Sequence, residues 1–169
     1  RLNRVISELL EFARPSDLKV RQTNVGELID NSLRLIAQEA ENAGIEIERK
    51  IDKDLQVSID ADRMAQALLN LYVNALQAME QGGRLGIRVQ ERDRNHFQIE
   101  ISDTGRGIFE EDQARIFDPY FTTKSKGTGL GLAIVQKIVE AHQGTVQIES
   151  TAQGTVFTLI LPLLEGNDK

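Results

Sequence analysis

One stretch limits what this chain can become more than any other: Asp103 to Leu132, DTGRGIFEEDQARIFDPYFTTKSKGTGLGL. Five of the thirteen glycines fall here, in two clusters, DTGRG and GTGLG, with a polar, threonine-rich segment between them. Ahead of the first cluster Phe97, Ile99 and Ile101 alternate, as in a half-buried strand. After the second, Leu130, Ile134, Ile138 and Val139 recur with helical spacing. Glycine has no Cβ, so its backbone reaches positive φ and approaches a ligand closely. A glycine cluster that opens a helix also presents unpaired N–H groups at the positive end of the helix dipole. The stretch therefore reads as a mobile loop that closes over an anion.

The remainder of the chain must supply the site on which this loop closes. Its 169 residues, 40% hydrophobic and 27% charged, suit one globular domain with a proper core. Without cysteine, neither a disulfide framework nor a thiolate zinc site is possible. A net charge of −6 argues against nucleic acid as a partner and against membrane contact by this segment. No apolar run approaches the roughly 20 residues that cross a bilayer. The chain begins in mid-pattern at Arg1 with no initiator Met, so it reads as a piece of something longer.

Along the chain, Leu2, Val5, Ile6, Leu9, Leu10 and Ala13 share one helical face, and Pro15 is the expected stop. That helix either packs on its own domain or is the tail of a helical hairpin. Residues 15–23 read as a linker with a short strand. Asn24, with Glu27 three positions on, signals a helix start, and Leu28, Ile29, Leu33, Ile36 and Ala40 carry that helix to about Ala43, where Gly44 ends it. Two strand patterns follow, Ile45–Ile47–Ile51 and Leu55–Val57–Ile59. A helix from Asp60 or Asp62 to about Gln81 has Met64, Ala67, Leu68, Leu71, Tyr72, Ala75, Leu76 and Met79 inward. Leu85–Val89 and Phe97–Ile101 form a hairpin, a helix spans Thr128–His142 with Gly144 as its stop, and Val146–Ile148 and Val156–Leu161 are the last strands. Helices mixed with adjacent antiparallel strands predict a two-layer α/β sandwich, an α+β arrangement with a mixed, largely antiparallel sheet of about five strands and helices on one face.

Three motifs carry possible chemistry. Asn70 and Asn74 lie one helical turn apart, so their amides point the same way. They are either satisfied core amides or carbonyls aimed at a hard cation such as Mg²⁺. Asp103 opens a DTG triplet, which is an ordinary turn, half of an aspartic protease site, or a carboxylate that accepts from a ligand amine. The protease needs an apolar strand next, and Arg106-Gly107 stands there instead. GTGLGL is no dinucleotide fingerprint, because Leu132 replaces the third glycine and no strand precedes it. No GK[ST] is present, which excludes a P-loop. What remains is a helix N-terminus with Lys124 and Lys126 just upstream, a cradle for a triphosphate.

Taken in order, these residues resemble the ATP-binding catalytic domain of bacterial two-component sensor histidine kinases, in the GHKL superfamily shared with gyrase, Hsp90 and MutL. NLYVN (Asn70–Asn74) resembles the N box, DTGRG the first glycine box, FDPYFTTK (Phe117–Lys124) the F box and GTGLGL the second glycine box. The resemblance covers roughly Leu18–Leu163 and is nearest to the nitrogen-regulation and zinc-responsive sensor kinases. It implies a Bergerat-type ATPase fold and Mg-ATP as the bound nucleotide. Asp103 would accept the adenine amine, QGTVFTLILP resembles the closing strand with Gly154 and Thr155 beside the base, and Gly105, Gly107 and Ile108 would also bind the nucleotide. Asn74 would ligate Mg²⁺ with Asn70 close by, and Asn70, Asn74 and Lys124 would serve phosphoryl transfer. Lys124 and the backbone of Gly127, Thr128, Gly129, Leu130, Gly131 and Leu132 would hold the phosphates. Phe121, Thr122 and Thr123 would belong to a lid, about Ile108–Lys126, that is poorly ordered without nucleotide.

The resemblance also divides the chain. Residues 1–14, ending LLEFAR, resemble a remnant of the second dimerisation helix, 15–23 the linker, 24–164 the catalytic domain and 165–169 a tail. Superfamily ATPases place a water-activating glutamate where Asn70 stands, so slow hydrolysis is expected. The phospho-acceptor histidine is missing: His96 and His142 read as capping or surface residues. Implied partners are the dimerisation and phospho-acceptor domain of the same kinase and a response regulator receiver domain. The implied location is the cytoplasmic side, under a parent that is either free or anchored in the inner membrane. An anti-sigma-factor-like serine kinase acting as a binding module, or a GHKL ATPase, is the alternative.

Overall fold

Seven strands and six helices lie within the described residues, 2–14, 17–52 and 54–163, of a computed structural model. In order they are α1 (Leu2–Ala13), β1 (Arg21–Asn24), α2 (Val25–Arg34), α3 (Ala37–Asn42), β2 (Ile45–Ile51), β3 (Gln56–Ile59), α4 (Ala61–Ala78), β4 (Gly83–Glu91), β5 (His96–Asp103), α5 (Glu110–Gln113), α6 (Gly131–Ala141), β6 (Thr145–Thr151) and β7 (Gly154–Pro162). Five strands form the main sheet in the order β2-β4-β5-β7-β6. Only the β2–β4 pair is parallel. β1 and β3 pair separately as a small antiparallel ribbon. The mixed sheet with helices on one face is the architecture the sequence predicts.

Strict alternation explains the two layers. Leu85, Ile87 and Val89 of β4, Phe97, Ile99 and Ile101 of β5, and Phe157, Leu159 and Leu161 of β7 are all buried. They share one core with Met64, Leu68, Leu71 and Tyr72 of α4, Ile29 of α2 and Ile134 and Ile138 of α6. The intervening residues stand on the other face, where Lys50, Arg88, Glu100, Thr158 and Gln147 align across all five strands. One apolar and one polar face is what period-2 patterning produces in a sheet covered on a single side.

Helix starts follow the expected chemistry. Asn24 caps α2, its side-chain oxygen accepting from Glu27 N–H, and Asp60 caps α4 by accepting from Arg63 N–H. Several ends differ from the periodicity. The helix expected to run from Asn24 to about Ala43 breaks after Arg34, where tight turns bury Ile36 at 2% exposure and leave Leu35 70% exposed. α4 stops at Ala78 rather than Gln81, because Met79 leaves helical geometry to bury its side chain. α6 starts at Gly131, three residues after the expected Thr128. Gln143, with φ 60°, takes the left-handed turn expected of Gly144. A short helix, α5, to which the sequence gives no signal, lies inside the lid segment Ile108–Lys126.

α1 lies against the domain through polar ties. Glu11 pairs with Arg63 at 2.9 Å, and the Lys137 ammonium donates to the carbonyls of Phe12 and Arg14, 5.4 Å from the Phe12 ring centroid. Its apolar stripe stays largely open, with Leu2 72% and Leu10 63% exposed. Pro15, the expected stop, and the tail 165–169 lie outside the described residues.

Candidate functional site

α4 and α6 form the floor. Asn70, Asn74 and Gln77 occupy one face of α4 at positions i, i+4 and i+7. The Asn70 amide donates to the Gly131 carbonyl at 3.2 Å, which ties α4 to the first residue of α6. The first bond of α6 runs from Ile134 N–H to Leu130 O at 2.9 Å, so the N–H groups of Gly131, Leu132 and Ala133 are the unpaired donors of a helix N-terminus. A Cβ placed on Gly131 would meet no atom within 4 Å, so this end opens onto free space. Asn74 turns its side-chain oxygen toward the lid, where the Lys124 ammonium lies 3.0 Å away and reaches Gln77 at 2.6 Å.

The other end of the cleft is built at the close of β5. Asp103 accepts from Gly105 N–H at 2.8 Å and pairs in register with Thr155 of β7. Burial pushes its carboxyl above the usual range, against the pull of the Gly105 and Thr155 N–H groups and the Lys124 charge. Thr155 is buried, and its hydroxyl meets that of Ser150 at 2.8 Å. Ser150 also accepts from Ile108 N–H at 2.8 Å, while Gln113 donates to Ile108 O at 3.0 Å, which staples the start of the lid to β6. Gly107, at φ 73°, passes so close to β6 that a Cβ would stand 1.8 Å from the Thr151 oxygen. Gly154, at φ 144°, leaves only 2.0 Å to the Asp103 oxygen.

The lid is clasped at both stems. Ile116 is buried, and Phe117 sets its ring edge-on to Phe157 of β7 at 6.4 Å. Arg115 stacks over half-buried Phe121 at 4.6 Å. Tyr120 N–H donates to Gly129 O at 2.9 Å, closing the loop between them. Thr122 and Thr123 are exposed, and the Thr122 hydroxyl accepts from Lys124 N–H at 3.1 Å. Gly127 is exposed, and Thr128 donates its hydroxyl to Glu8 of α1. The residues singled out in the sequence therefore stand at three places that Lys124 links: Asn70, Asn74 and Gly131 on the floor, Asp103, Gly105, Gly107, Ile108 and Thr155 at the far end, and Phe121 to Gly129 along the lid.

The donor set fits a nucleotide with a hard cation. An ammonium already sits between two amide carbonyls, so the spot selects positive charge. Among the described residues there is no group of three or more His, Cys, Asp or Glu able to hold a metal. A cation here would take the Asn74 oxygen and complete its shell with phosphate oxygens and water, which suits Mg²⁺.

Residues 59–165 match the family model described as "Histidine kinase-, DNA gyrase B-, and HSP90-like ATPase". The chain belongs to this ATPase family. Within the family its relatives are sensor histidine kinases. It is 44% identical over 165 residues to the sensor histidine kinase ZraS of Escherichia coli (strain K12), covering 96% of this chain and 35% of that protein. It is 38% identical over 164 residues to the kinase AtoS of the same strain, covering 96% and 27%. The chain thus spans about a third of the length of the curated relatives it matches. The catalytic domain of histidine kinase ThkA superposes with a TM-score of 0.79 at 32% identity, covering 86% of this chain and 97% of that one. Full-length ShkA, solved with AMPPNP, superposes with a TM-score of 0.89 at 28% identity, covering 98% and 36%. ThkA in complex with the response regulator TrrA gives 0.83 at 31% identity, covering 97% and 48%.

Two partners in this site, Gln77 and Ser150, are not singled out by the sequence, and a third residue, His142, lies remote from it. Gln77 had a visible signal, the same helical face as Asn70 and Asn74. Ser150, the hub behind Thr155, stands in an ordinary alternating strand with nothing to mark it. His142 was expected as a cap or surface residue; it does cap α6, with its ring against Ile138 O at 2.8 Å, but it is only 6% exposed. His96 is a surface residue as expected, beside Asp93 at 3.0 Å.

Proposed function

We propose that this chain binds Mg-ATP in the cleft between α4, α6 and the lid and donates the γ-phosphoryl to a histidine on a separate dimerisation domain, in two-component signalling. The Asn70–Gly131 hydrogen bond carries the reading. It holds the carbonyl-bearing face of α4 against the N-terminus of α6, so a cation ligand and a phosphate cradle share one floor. Mg²⁺, when bound, neutralises phosphate charge and orients the γ-phosphoryl. The chain's own residues bind and aim. Asp103 accepts from the adenine N6 amine, and guanine presents a carbonyl there, so ATP is preferred over GTP. Lys124 and the unpaired N–H groups of Gly131 and Leu132 hold phosphate oxygens, with the Gly127–Leu130 backbone beside them. The imidazole nitrogen of the acceptor attacks phosphorus, the bond to the β-phosphate oxygen breaks, ADP leaves, and the imidazole proton passes to solvent. Asn70 has no basic lone pair to activate water, so hydrolysis stays slow.

Residues 1–14 are read as the end of a dimerisation helix, 15–23 as the linker and 24–164 as the catalytic domain, which the open apolar stripe of α1 supports. A response regulator receiver is the next acceptor, and the cytoplasmic side is the place of action. No helix among the described residues is long and apolar enough to cross a membrane. The sensor kinase relatives support this reading over a serine-kinase binding module or a mechanical ATPase. The test is calorimetry of Mg-ATP with the native chain, Asp103→Ala and Asn74→Ala, followed by incubation with labelled ATP. Binding is expected to collapse in both variants, and label is expected only when a separate acceptor-helix domain is added. Unchanged binding in both variants, or stoichiometric labelling of the chain alone, overturns the reading.

A further inference from the structure

We infer that His142 is a positioning residue of the nucleotide site: it locks the axial register of α6 against α4 from the end opposite the cleft. The inference rests on the nucleotide reading of that cleft. α4 and α6 run antiparallel, since Asp60 at the start of α4 meets His142 at the end of α6, while Asn70 meets Gly131. His142 Nε2 accepts from Asp60 N–H at 3.0 Å, and Nδ1 faces Ile138 O at 2.8 Å. The N–H can only donate and the carbonyl can only accept, so the ring is held as the Nδ1–H tautomer. Both partners are shut from water, with His142 6% and Asp60 5% exposed.

The packing between the two helices is apolar, and apolar burial is non-directional: it presses helices together without fixing how far one slides along the other. Directional hydrogen bonds supply that register. Only ten residues separate Asp60 from Asn70, about 15 Å of helix, so a shift at the buried end is carried through a rigid rod to the cradle. The Asp60 carboxylate meanwhile accepts from Lys19 N–H at 2.8 Å and Arg63 N–H at 3.1 Å. The same node thus anchors the segment that leads back to α1. Asn70 trims the near end of the helix pair, and His142 fixes the far end.

The experiment compares Mg-ATP affinity in His142→Ala, His142→Gln, Tyr72→Phe and Asn74→Ala, at a temperature where circular dichroism shows each folded. Tyr72→Phe removes a buried contact to Ser32 at 3.3 Å from the same helix but not from this tie, and serves as the control for simple destabilisation. His142→Ala is expected to weaken Mg-ATP binding about tenfold, as a small misplacement of binding groups does. His142→Gln keeps an acceptor at the Nε2 position and is expected to recover most of the affinity. Tyr72→Phe is expected to bind like the native chain. Native affinity in His142→Ala, or an equal loss in Tyr72→Phe at matched melting temperature, overturns the positioning role. Native affinity in both Asn74→Ala and Asp103→Ala, measured alongside, overturns the nucleotide reading itself, and the positioning role falls with it.

Discussion

The Lys124 ammonium lies 3.0 Å from the Asn74 side-chain oxygen and 2.6 Å from that of Gln77. A lid residue thereby occupies the seat that the proposed reading gives to a cation beside the phosphates. On that reading, entry of Mg-ATP is expected to move Lys124 off these carbonyls and onto the phosphates, so that the same side chain latches the empty lid and grips the filled one. Lys124→Ala is expected to speed protease cleavage within 118–128 of the empty protein. It is also expected to weaken Mg-ATP binding about tenfold, the scale of one charge-assisted bond. Unchanged cleavage would show that the latch is not held in solution.

Metal removal separates the two halves of the floor. With a chelator in place of Mg²⁺, ATP binding to the native chain is expected to fall by about tenfold or more, because the Asn74 carbonyl then faces phosphate charge without an ion between them. Asn74→Ala is expected to bind weakly with or without the metal. Calorimetry in both buffers measures the difference, and an equal metal effect in the two proteins would remove Asn74 from the metal shell.

Asp103 sets stability against recognition. Burial raises its carboxyl above the ordinary 3.8, with the Gly105 and Thr155 N–H groups and Lys124 pulling the other way. A raised carboxyl stabilises the fold below its ordinary value, and that contribution is lost as pH rises through the shifted value. At pH 7 the empty native chain therefore carries a disfavoured buried charge. Asp103→Asn is expected to melt at or above the native temperature at pH 7 while losing most of the preference for ATP over GTP. Melting curves from pH 3 to 8 with parallel nucleotide titrations check both, and a variant that melts lower at pH 7 but equals the native chain at pH 3 contradicts the sign.

Gly107 tests how the far end of the cleft is built. Its φ of 73° and the 1.8 Å that a Cβ would leave to the Thr151 oxygen combine two penalties. Gly107→Ala is expected to cost about 2–4 kcal/mol from the left-handed backbone and the forced overlap. Urea unfolding with an unchanged slope and a lower midpoint reads this out, and a midpoint equal to that of the native chain would mean the turn relaxes freely.

Much of the fold was legible because its periods are clean: each inward residue read from β4, β5 and α4 is buried. The errors cluster where tertiary packing outranks local pattern. Ile36 is buried as its spacing indicates and Leu35 is exposed, but the single helix expected there breaks into α2 and α3 around them. Met79 ends α4 early to bury its side chain. In the site, Asn70 and Asn74 announce themselves by spacing, and the glycine clusters by density. The partners that matter most are remote. Lys124 lies 50 positions from Asn74, Ser150 42 from Ile108 and His142 82 from Asp60, and no local signal encodes such pairings.

The clasp between Tyr120 and Gly129 has a consequence for how such proteins diversify. Because both stems of the lid are fastened, at Ile108 by Ser150 and at Tyr120 by Gly129, exposed residues of the lid, Lys124 excepted, can be added or removed without disturbing the floor. Loop closure grows only slowly with length, about 0.6 kcal/mol for each doubling. Lid length is thus a nearly neutral variable, on which descendants of one catalytic scaffold are free to set how fast nucleotide exchanges while keeping the chemistry beneath it intact.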